Sequence, residues 1–385
     1  MKIIIRVTCF LFVLLLINAF SYCQRIEFKN GVRIVHNGDE GKWGKDLQVS
    51  LKLIRTIGGI DTLDENMAIR SPYDIAMDRT GNIYILDKGN NRIQKFNANA
   101  EYLATIGKRG QGPGDFNDPE SLDIDSNGHL YVSEWGNNRI QIFSPEGDDY
   151  IMIRMDKYRP SKVRYLKSGL LAMGKLPLLI PPGVKVESPQ KLLHLFDLEG
   201  NLKNEFVDGF DFKNRLTNWM GNCFDFDVDK DDFFYLAFKY QNRIEKYSPD
   251  GNLIWKADRL LNFKMKPIDS HKIKIAGDEG PLPPEVSTGI AVDGEARVWV
   301  LTMNRQWEKG EQSSSIYTTS GQITTKSGKI KKMDIFKLEI YGPDGILLGK
   351  IQLDHIAQGI RIYKNDLFIW EFPNARYFQY EIVEK

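Results

Sequence analysis

Cysteine is nearly missing from this chain. There are three among 385 residues, and two of them, Cys9 and Cys23, sit at the N-terminus. Cys223 is the single internal thiol, which excludes a disulfide framework and a Cys-based zinc site. Histidine is also scarce, with five residues: His36, His129, His194, His271 and His355. Net charge is close to zero, with 52 Lys and Arg against 51 Asp and Glu. No global basic field exists to collect nucleic acid or an anionic membrane. The motifs G-x-S-x-G, H-E-x-x-H and the phosphate-binding loop are missing too, which removes the commonest hydrolase and nucleotide signatures.

Long apolar runs are lacking, with one exception. Phe10–Ile17 is unbroken but short for a membrane span of about 20 residues. Lys2 and Arg6 precede it, and the small residues Ala19, Ser21 and Cys23 follow. Residues 1–23 therefore read as a secretory signal peptide that is removed from the mature protein. The expected location is extracytoplasmic, periplasmic or secreted. Lipid attachment at Cys23 is the weaker alternative, because bulky Tyr22 suits a lipoprotein box poorly. No second span is expected after signal removal.

What is present is a repeat. Lys88–Phe96 reads KGNNRIQKF and Trp135–Phe143 reads WGNNRIQIF. The same 47-residue shift aligns Gly81 with Gly128 and Tyr84 with Tyr131. Fainter copies are YQNRIEKY, carrying Arg243, and PNARYFQY, carrying Arg376. Each unit offers four short strands of the Ile83-Tyr84-Ile85-Leu86 kind, separated by turn signals. SPEG at 144, DLEG at 197, SPDG at 248 and GPDG at 342 mark a recurrent turn: Pro presets φ and Gly accepts a positive one. Four-stranded units repeating every 40–50 residues or so indicate a β-propeller.

The expected blades cover about 71–107, 118–155, 161–207, 221–257, 287–351 and 357–383. The sixth lacks a fourth strand. LIRTIG, Leu53–Gly58, matches YLATIG, Tyr102–Gly107, the fourth strand of the first unit. A strand over 47–58 is thus expected to complete the last blade and close the ring, removing its open edges. Residues 24–46 form an extension expected to run over the outside, and 47–385 form the propeller. Insertions at 175–191 and 304–332 interrupt the third and fifth units.

The stretch IAMDRTGNIYILDKGNNRIQKF resembles the NHL repeat, and the chain looks like a secreted bacterial six-bladed propeller of that type. The resemblance is strong in units one and two, fair in four and weak elsewhere. It implies binding through one face of the ring. It also admits enzymes: related lyases use His, around a metal in the amidating lyase, and calcium-dependent lactonases place acids and Asn near the channel.

The repeated turn yields two readings. As a brace, Asp87 pairs with Arg92, Glu134 with Arg139 and Glu371 with Arg376, while Phe238 stands where the acid for Arg243 belongs. As a binding rim, Arg92, Arg139, Arg243 and Arg376, with Asn91, Asn138, Trp135, Arg109, Gln111 and Phe116, present cationic, amide and aromatic groups on one face. Brace and rim are compatible. The segment 107–122, which holds Arg109, Gln111 and Phe116, reads as a flexible connector. Asp123–Glu134 satisfies a calcium-loop pattern, but its flanks are strands, and a hairpin there parts Asp123 from Glu134 by about 13 Å. A looser calcium site on Asp123, Asp125 and Asn127 stays as a minor option. Otherwise no cofactor is expected.

The reading that results is a monomeric, exported binding or scaffolding module for a protein, peptide or small molecule. A lyase- or lactonase-like enzyme with a metal at the channel mouth is the alternative. An extracytoplasmic sensor comes third. Sequence does not name the ligand, because fold does not determine function.

Overall fold

A computed structural model of the protein describes residues 24–385, apart from 60–61, 63, 148, 156–157, 176–189, 267–271, 276–277, 282, 309, 312–313, 318–322, 327–329 and 331. The signal segment, His271 and much of both insertions lie outside the described residues. The chain is an all-β, six-bladed propeller with four antiparallel strands per blade. Blade I comprises Pro72–Met77, Ile83–Asp87, Arg92–Phe96 and Tyr102–Ile106, and blade II Pro119–Ile124, Leu130–Glu134, Arg139–Phe143 and Tyr150–Arg154. Blade III holds Pro160–Tyr165, Leu171–Lys175, Lys191–Phe196 and Leu202–Asp208; blade IV holds Phe224–Val228, Phe234–Phe238, Ile244–Tyr247 and Leu253–Arg259. Blade V is Ser287–Val292, Val298–Met303, Phe336–Tyr341 and Leu347–Gln352. The first strands stand side by side around the axis, and that of blade VI returns to that of blade I.

Blade VI takes Gly359–Tyr363, Asp366–Glu371 and Arg376–Glu384 from the C-terminus and Val49–Gly58 from the N-terminus. The register runs from Val49 opposite Glu384 to Gly58 opposite Arg376. Two distant stretches thus share one sheet, and the ring has no broken blade.

Strand direction explains why second strands such as Ile83–Asp87, Leu130–Glu134 and Phe234–Phe238 are buried on both faces. Successive side chains point to opposite faces, and in a propeller both faces meet a neighbouring blade. Ile83 and Ile85 pack toward blade VI, whereas Tyr84 and Leu86 pack toward blade II. Each of the six blade interfaces holds one such apolar cluster.

The extension does more than run over the outside. Arg25–Lys29 and Val32–Asn37 form a hairpin, and Val32–Asn37 pairs in parallel with Leu253–Arg259. Blade IV thereby becomes a six-stranded sheet. The chain then follows blade V, where Lys42 N–H donates to Leu347 O (2.9 Å) and Trp43 N–H to Leu348 O (2.8 Å).

Candidate binding face

The repeated turn joins the second strand of a blade to the third, and its side chains grip the segment that enters the same blade. Asp87, fully buried, accepts from Arg92 Nε (3.1 Å), Asn90 Nδ2 (2.7 Å) and the Arg70 (3.0 Å) and Ser71 (3.3 Å) backbone N–H groups. Glu134 repeats this with Arg139 Nε (2.6 Å), Asn137 Nδ2 (2.7 Å) and the Asn117 N–H (2.9 Å). The arginine takes the carbonyls of that segment. Arg92 donates to Glu65 and Ala68; Arg139 donates to Gln111 (3.0 Å), Gly112 (2.8 Å) and Asp115 (2.7 Å). The second asparagine has φ near 50°, 52° at Asn91 and 56° at Asn138, and reaches the chain bound for the next blade. Asn91 Oδ1 accepts from Asp118 N–H (2.8 Å), and Asn138 Nδ2 donates to Met155 O (3.0 Å).

These contacts correct several expectations of a ligand rim. Arg139 is 6% exposed, and its guanidinium is used up by Glu134 and three carbonyls. Phe116 is fully buried against Phe143, so it cannot meet a ligand; the glycines around it let the loop fold inward. The segment from Gly107 is not a loose connector but a wrap around Arg139. Glu371 and Arg376 face each other across the strands, yet no ion pair joins them; Glu371 accepts from Asn374 instead (2.7 Å). Arg243 lies over the Phe238 ring at 3.6 Å, so the residue in the acid's place is its stacking partner. Its charge partner is Glu245, 3.5 Å away, where the best copies carry Gln94 and Gln141. Arg109 and Gln111 are exposed, and Trp135 is half-buried beneath the Arg159 guanidinium at 5.3 Å.

The wrap makes a stability prediction. Gly107 has φ +76°, and a Cβ there would sit 2.2 Å from the Phe116 ring. Gly147 has a similar φ, +82°, but open space. Gly107→Ala is expected to destabilise by about 1–3 kcal/mol more than Gly147→Ala, in urea unfolding. Equal losses would mean that backbone strain, not packing of the wrap, sets the cost.

The residues of the calcium-loop pattern serve three different tasks. Asp123 faces the channel, accepting from Tyr165 N–H (2.8 Å). Asp125 braces the first-to-second-strand turn: it accepts from the Asn127 (2.8 Å) and His129 (2.9 Å) N–H groups and the Tyr131 hydroxyl (3.1 Å). Glu134 sits at the far end of the strand with Arg139. Asp78, Asp229 and Asp293 repeat the Asp125 brace. The described histidines are dispersed: His36 by Asp258, His129 by Asp125, His194 in blade III by Tyr158, and His355 by Tyr380.

The channel mouth lies on the face of the repeated turns, and most of the side chains that ring it are ones that sequence reasoning did not single out. Four first strands shift register near their start, at Pro72/Asp74, Pro119/Ser121, Pro160/Val163 and Ser287/Gly289. Bulges re-aim side chains, and the residues at these shifts include Tyr73, Glu120, Lys162 and Thr288. Cross-blade pairs staple them. Lys88 bonds Glu120 and stands over the Tyr73 ring at 4.3 Å; Lys162 bonds Asp225; Lys239 pairs with Glu285 at 2.9 Å; Phe372 packs on Tyr73 at 6.1 Å. Burial raises the proton affinity of Glu120 despite Lys88. Burial and the Arg164 charge lower that of Lys162 to about 8.

Below the mouth a charged plug fills the axis. Arg361 reaches Asp74 (3.1 Å), Asp227 (3.2 Å) and Leu122 O (3.1 Å); Arg164 reaches Asp227 (3.1 Å). The carboxylates also tie neighbouring first strands, Asp74 accepting from Leu122 N–H (3.1 Å) and Asp227 from Val292 N–H (3.1 Å). Burial pushes the Asp74 carboxyl up, but Arg361, Arg164 and Lys162 together hold it at about 2. Asp123 goes the other way: burial outweighs the same arginines and raises it.

The long connections share this face, on one side of the mouth. The described part of the blade V insertion lies here, and the links into blades IV and V hold the helix Arg215–Gly221 and the ribbon Lys272–Ile275/Asp278–Pro281. They brace one another: Thr217 Oγ1 donates to Pro281 O (2.6 Å) and Gln306 Nε2 to Glu285 O (2.7 Å). Arg305 clamps the blade V insertion through Glu311 (2.7 Å) and Asp334 (2.6 Å). Blades VI, I and II join their second and third strands there by short turns, at 372–375, 88–91 and 135–138.

Residues 48–168 match the DUF5128 family, described as a 6-bladed beta-propeller. No curated protein matches the sequence. Among solved structures, a Bacteroides fragilis protein is similar at TM-score 0.57 and 9% identity, over 91% of this chain and 99% of that one. A DUF4221-family member from Bacteroides vulgatus is similar at 0.54 and 12%, over 88% and 99%. Virginiamycin B lyase from Staphylococcus aureus follows at 0.48 and 13%, over 87% and 100%. At these identities the likeness is one of fold alone.

Proposed function

We propose that this chain is an exported binding module of NHL-like build, and that it takes its ligand on the face of the repeated turns, at the channel mouth. The carrying observation is the unevenness of that face. A braced wall over blades IV and V stands beside a low rim on blades VI, I and II, and the mouth between them is ringed by charged and aromatic groups. The plug closes the axis beneath, so a ligand would rest at the mouth rather than thread the ring. Concave sites with a few convergent polar groups are where ligands bind, and half-exposed aromatics are the usual anchors. Trp135 and Phe372, the latter 36% exposed, are the anchors here; Arg109, Gln111, Asn91 and Arg376 lie on the low rim.

The test is capture of a partner from an extract of the producing cells by the immobilised protein. The variant Trp135→Ala/Phe372→Ala is expected to lose about tenfold or more of the captured partner, as for loss of hot-spot side chains. Its melting temperature should shift little, because neither side chain is in the core. Equal capture by the variant and the wild type sinks the reading.

An enzyme at the same mouth is the second reading. What favours it is the opposite displacement of Glu120 and Lys162, since acids and bases displaced in this way cluster at catalytic sites.

A further inference from the structure

The low rim carries cations that no carboxylate meets in ion-pair range among the described residues: Arg70, Lys108, Arg109, Arg154, Arg159 and Arg376. All but Arg376 are exposed, and Arg376 is half-buried. Arg70 lies on the segment entering blade I, and Lys108 and Arg109 lie on the wrap. Arg154 ends the outer strand of blade II, opposite Arg139; Arg159 follows in the next link, over Trp135. Arg376 opens the third strand of blade VI beside its turn. The wall differs, because most of its cations are closed. Lys213 pairs with Asp211 (2.5 Å), Lys239 with Glu285 (2.9 Å), Lys332 with Asp334 (2.6 Å), and Arg305 with Glu311 and Asp334. Lys264 and Lys266 stay open there.

The carboxylates of the low rim are mostly spent on the chain itself. Asp87 and Glu134 hold the turns, Asp64 accepts from Asn66 N–H (2.9 Å), and Asp118 pairs with Lys88 (3.1 Å). Glu65 and Asp115 remain. The opposite face of the ring has the other sign. Its first-to-second-strand turns carry Asp78, Asp125, Asp229 and Asp293, and its third-to-fourth-strand turns carry Glu146, Glu199, Asp250 and Asp344, these last four exposed. A chain of near-zero net charge thus gathers open positive charge on one edge of one face, and such a distribution steers charged partners.

We infer that the ligand of this mouth is an acidic peptide segment, with carboxylates on Arg109, Arg154 and Arg159 and an apolar side chain against Trp135. The inference rests on the reading that the ligand is taken at the mouth. The Arg159 guanidinium stacks at 5.3 Å from the centre of the Trp135 ring. Stacking of this kind leaves the in-plane N–H donors of an arginine free for a carboxylate. The open charged groups of the rim are donors almost throughout. A carboxylate is acceptor-only and matches them, whereas sugar hydroxyls would need acceptors as well. The cations also cross three blades, which suits an extended chain, and clusters of arginine are a recurrent means of reading acidic motifs.

The test probe is a fluorescein-labelled copolymer of glutamate and tyrosine, which joins carboxylates and apolar rings on one chain. Its binding to the protein is read by anisotropy in about 20 mM salt, where screening is weak. Arg109→Glu/Arg159→Glu is expected to weaken binding about tenfold or more, as for charges that pair across an interface. Lys167→Glu/Lys230→Glu makes the same change of charge on the opposite face and should weaken it less than about twofold. All four side chains are exposed, so both variants should keep the wild-type melting temperature. Equal losses in the two variants would mean that net charge alone is read, and overturn the inference; so does a copolymer that fails to bind. Tighter binding of polygalacturonate, lost in the same rim variant, would assign the rim to an acidic polysaccharide and overturns it as well. The captured partner separates this inference from the reading beneath it. Capture lost in Trp135→Ala/Phe372→Ala but kept in Arg109→Glu/Arg159→Glu refutes an acidic ligand and leaves the mouth as the site.

Discussion

Glu134→Ala is expected to destabilise the protein by about 3–5 kcal/mol, because it leaves Arg139 as a buried cation without its counter-charge. Glu134 is fully buried and Arg139 is 6% exposed, so water does not replace the lost carboxylate. The carboxylate also holds Asn137, Gln141 (2.8 Å) and the N–H of Asn117. Glu134→Gln keeps the shape and one acceptor, and a cost of about 1–3 kcal/mol is expected for it. Urea unfolding gives both values. Trypsin gives an independent reading: cleavage after Lys108 or Arg109 should speed up in Glu134→Ala, because Arg139 no longer organises the wrap at Gln111, Gly112 and Asp115. A loss below about 1 kcal/mol, the range of an exposed ion pair, would show that the turn is not a brace.

Arg361→Met should cost a similar amount, about 3–5 kcal/mol, for the same reason. It strips the main counter-charge from Asp74 and Asp227 in the closed channel. The double variant Arg361→Met/Asp74→Asn is expected to recover part of the loss, and a double-mutant cycle reports the coupling. Acid has a related effect. Asp74 sits at about 2 in the fold against an ordinary 3.8. Its contribution is therefore complete above about pH 4 and is lost as the pH falls toward 2. Asp123 is raised instead, so its protonation in mild acid relieves the plug and opposes that loss. In Asp74→Asn the drop in stability between pH 4 and pH 2 should shrink; an unchanged drop would place the acid-sensitive groups elsewhere.

The fold was legible because propeller blades repeat their turns. GNNRIQ written twice set the period, and LIRTIG against YLATIG exposed the strand that closes the ring. Both signals are local chemistry: αL asparagines, prolines and glycines at fixed offsets. The role of the turn was half legible. The pairing of Asp87 with Arg92 follows from their places on adjoining strands, but the carbonyls that saturate Arg139 come from a segment 24 to 28 residues earlier. Phe116 looked like a rim residue because nothing in its Gly-rich surroundings says which way a loop folds.

The pairing of charges at the mouth and in the plug was missed, although a signal existed. Asp74, Asp123, Lys162, Arg164, Asp225, Asp227 and Arg361 are charged residues in otherwise apolar first strands. In a single strand they read as solvent-facing, since a buried charge is costly unless it is paired. Only the ring brings opposite charges from five blades to one axis.

The sequence by itself determined the number of blades, the place where the ring closes and the parts of each turn, because these rest on short-range backbone preferences repeated along the chain. The tertiary structure alone decided which arginines are available. Arg139 and Arg361 are spent inside, while the exposed aromatic and charged groups gather at one mouth beside one wall, since burial and counter-charge come from neighbours that are distant in the chain.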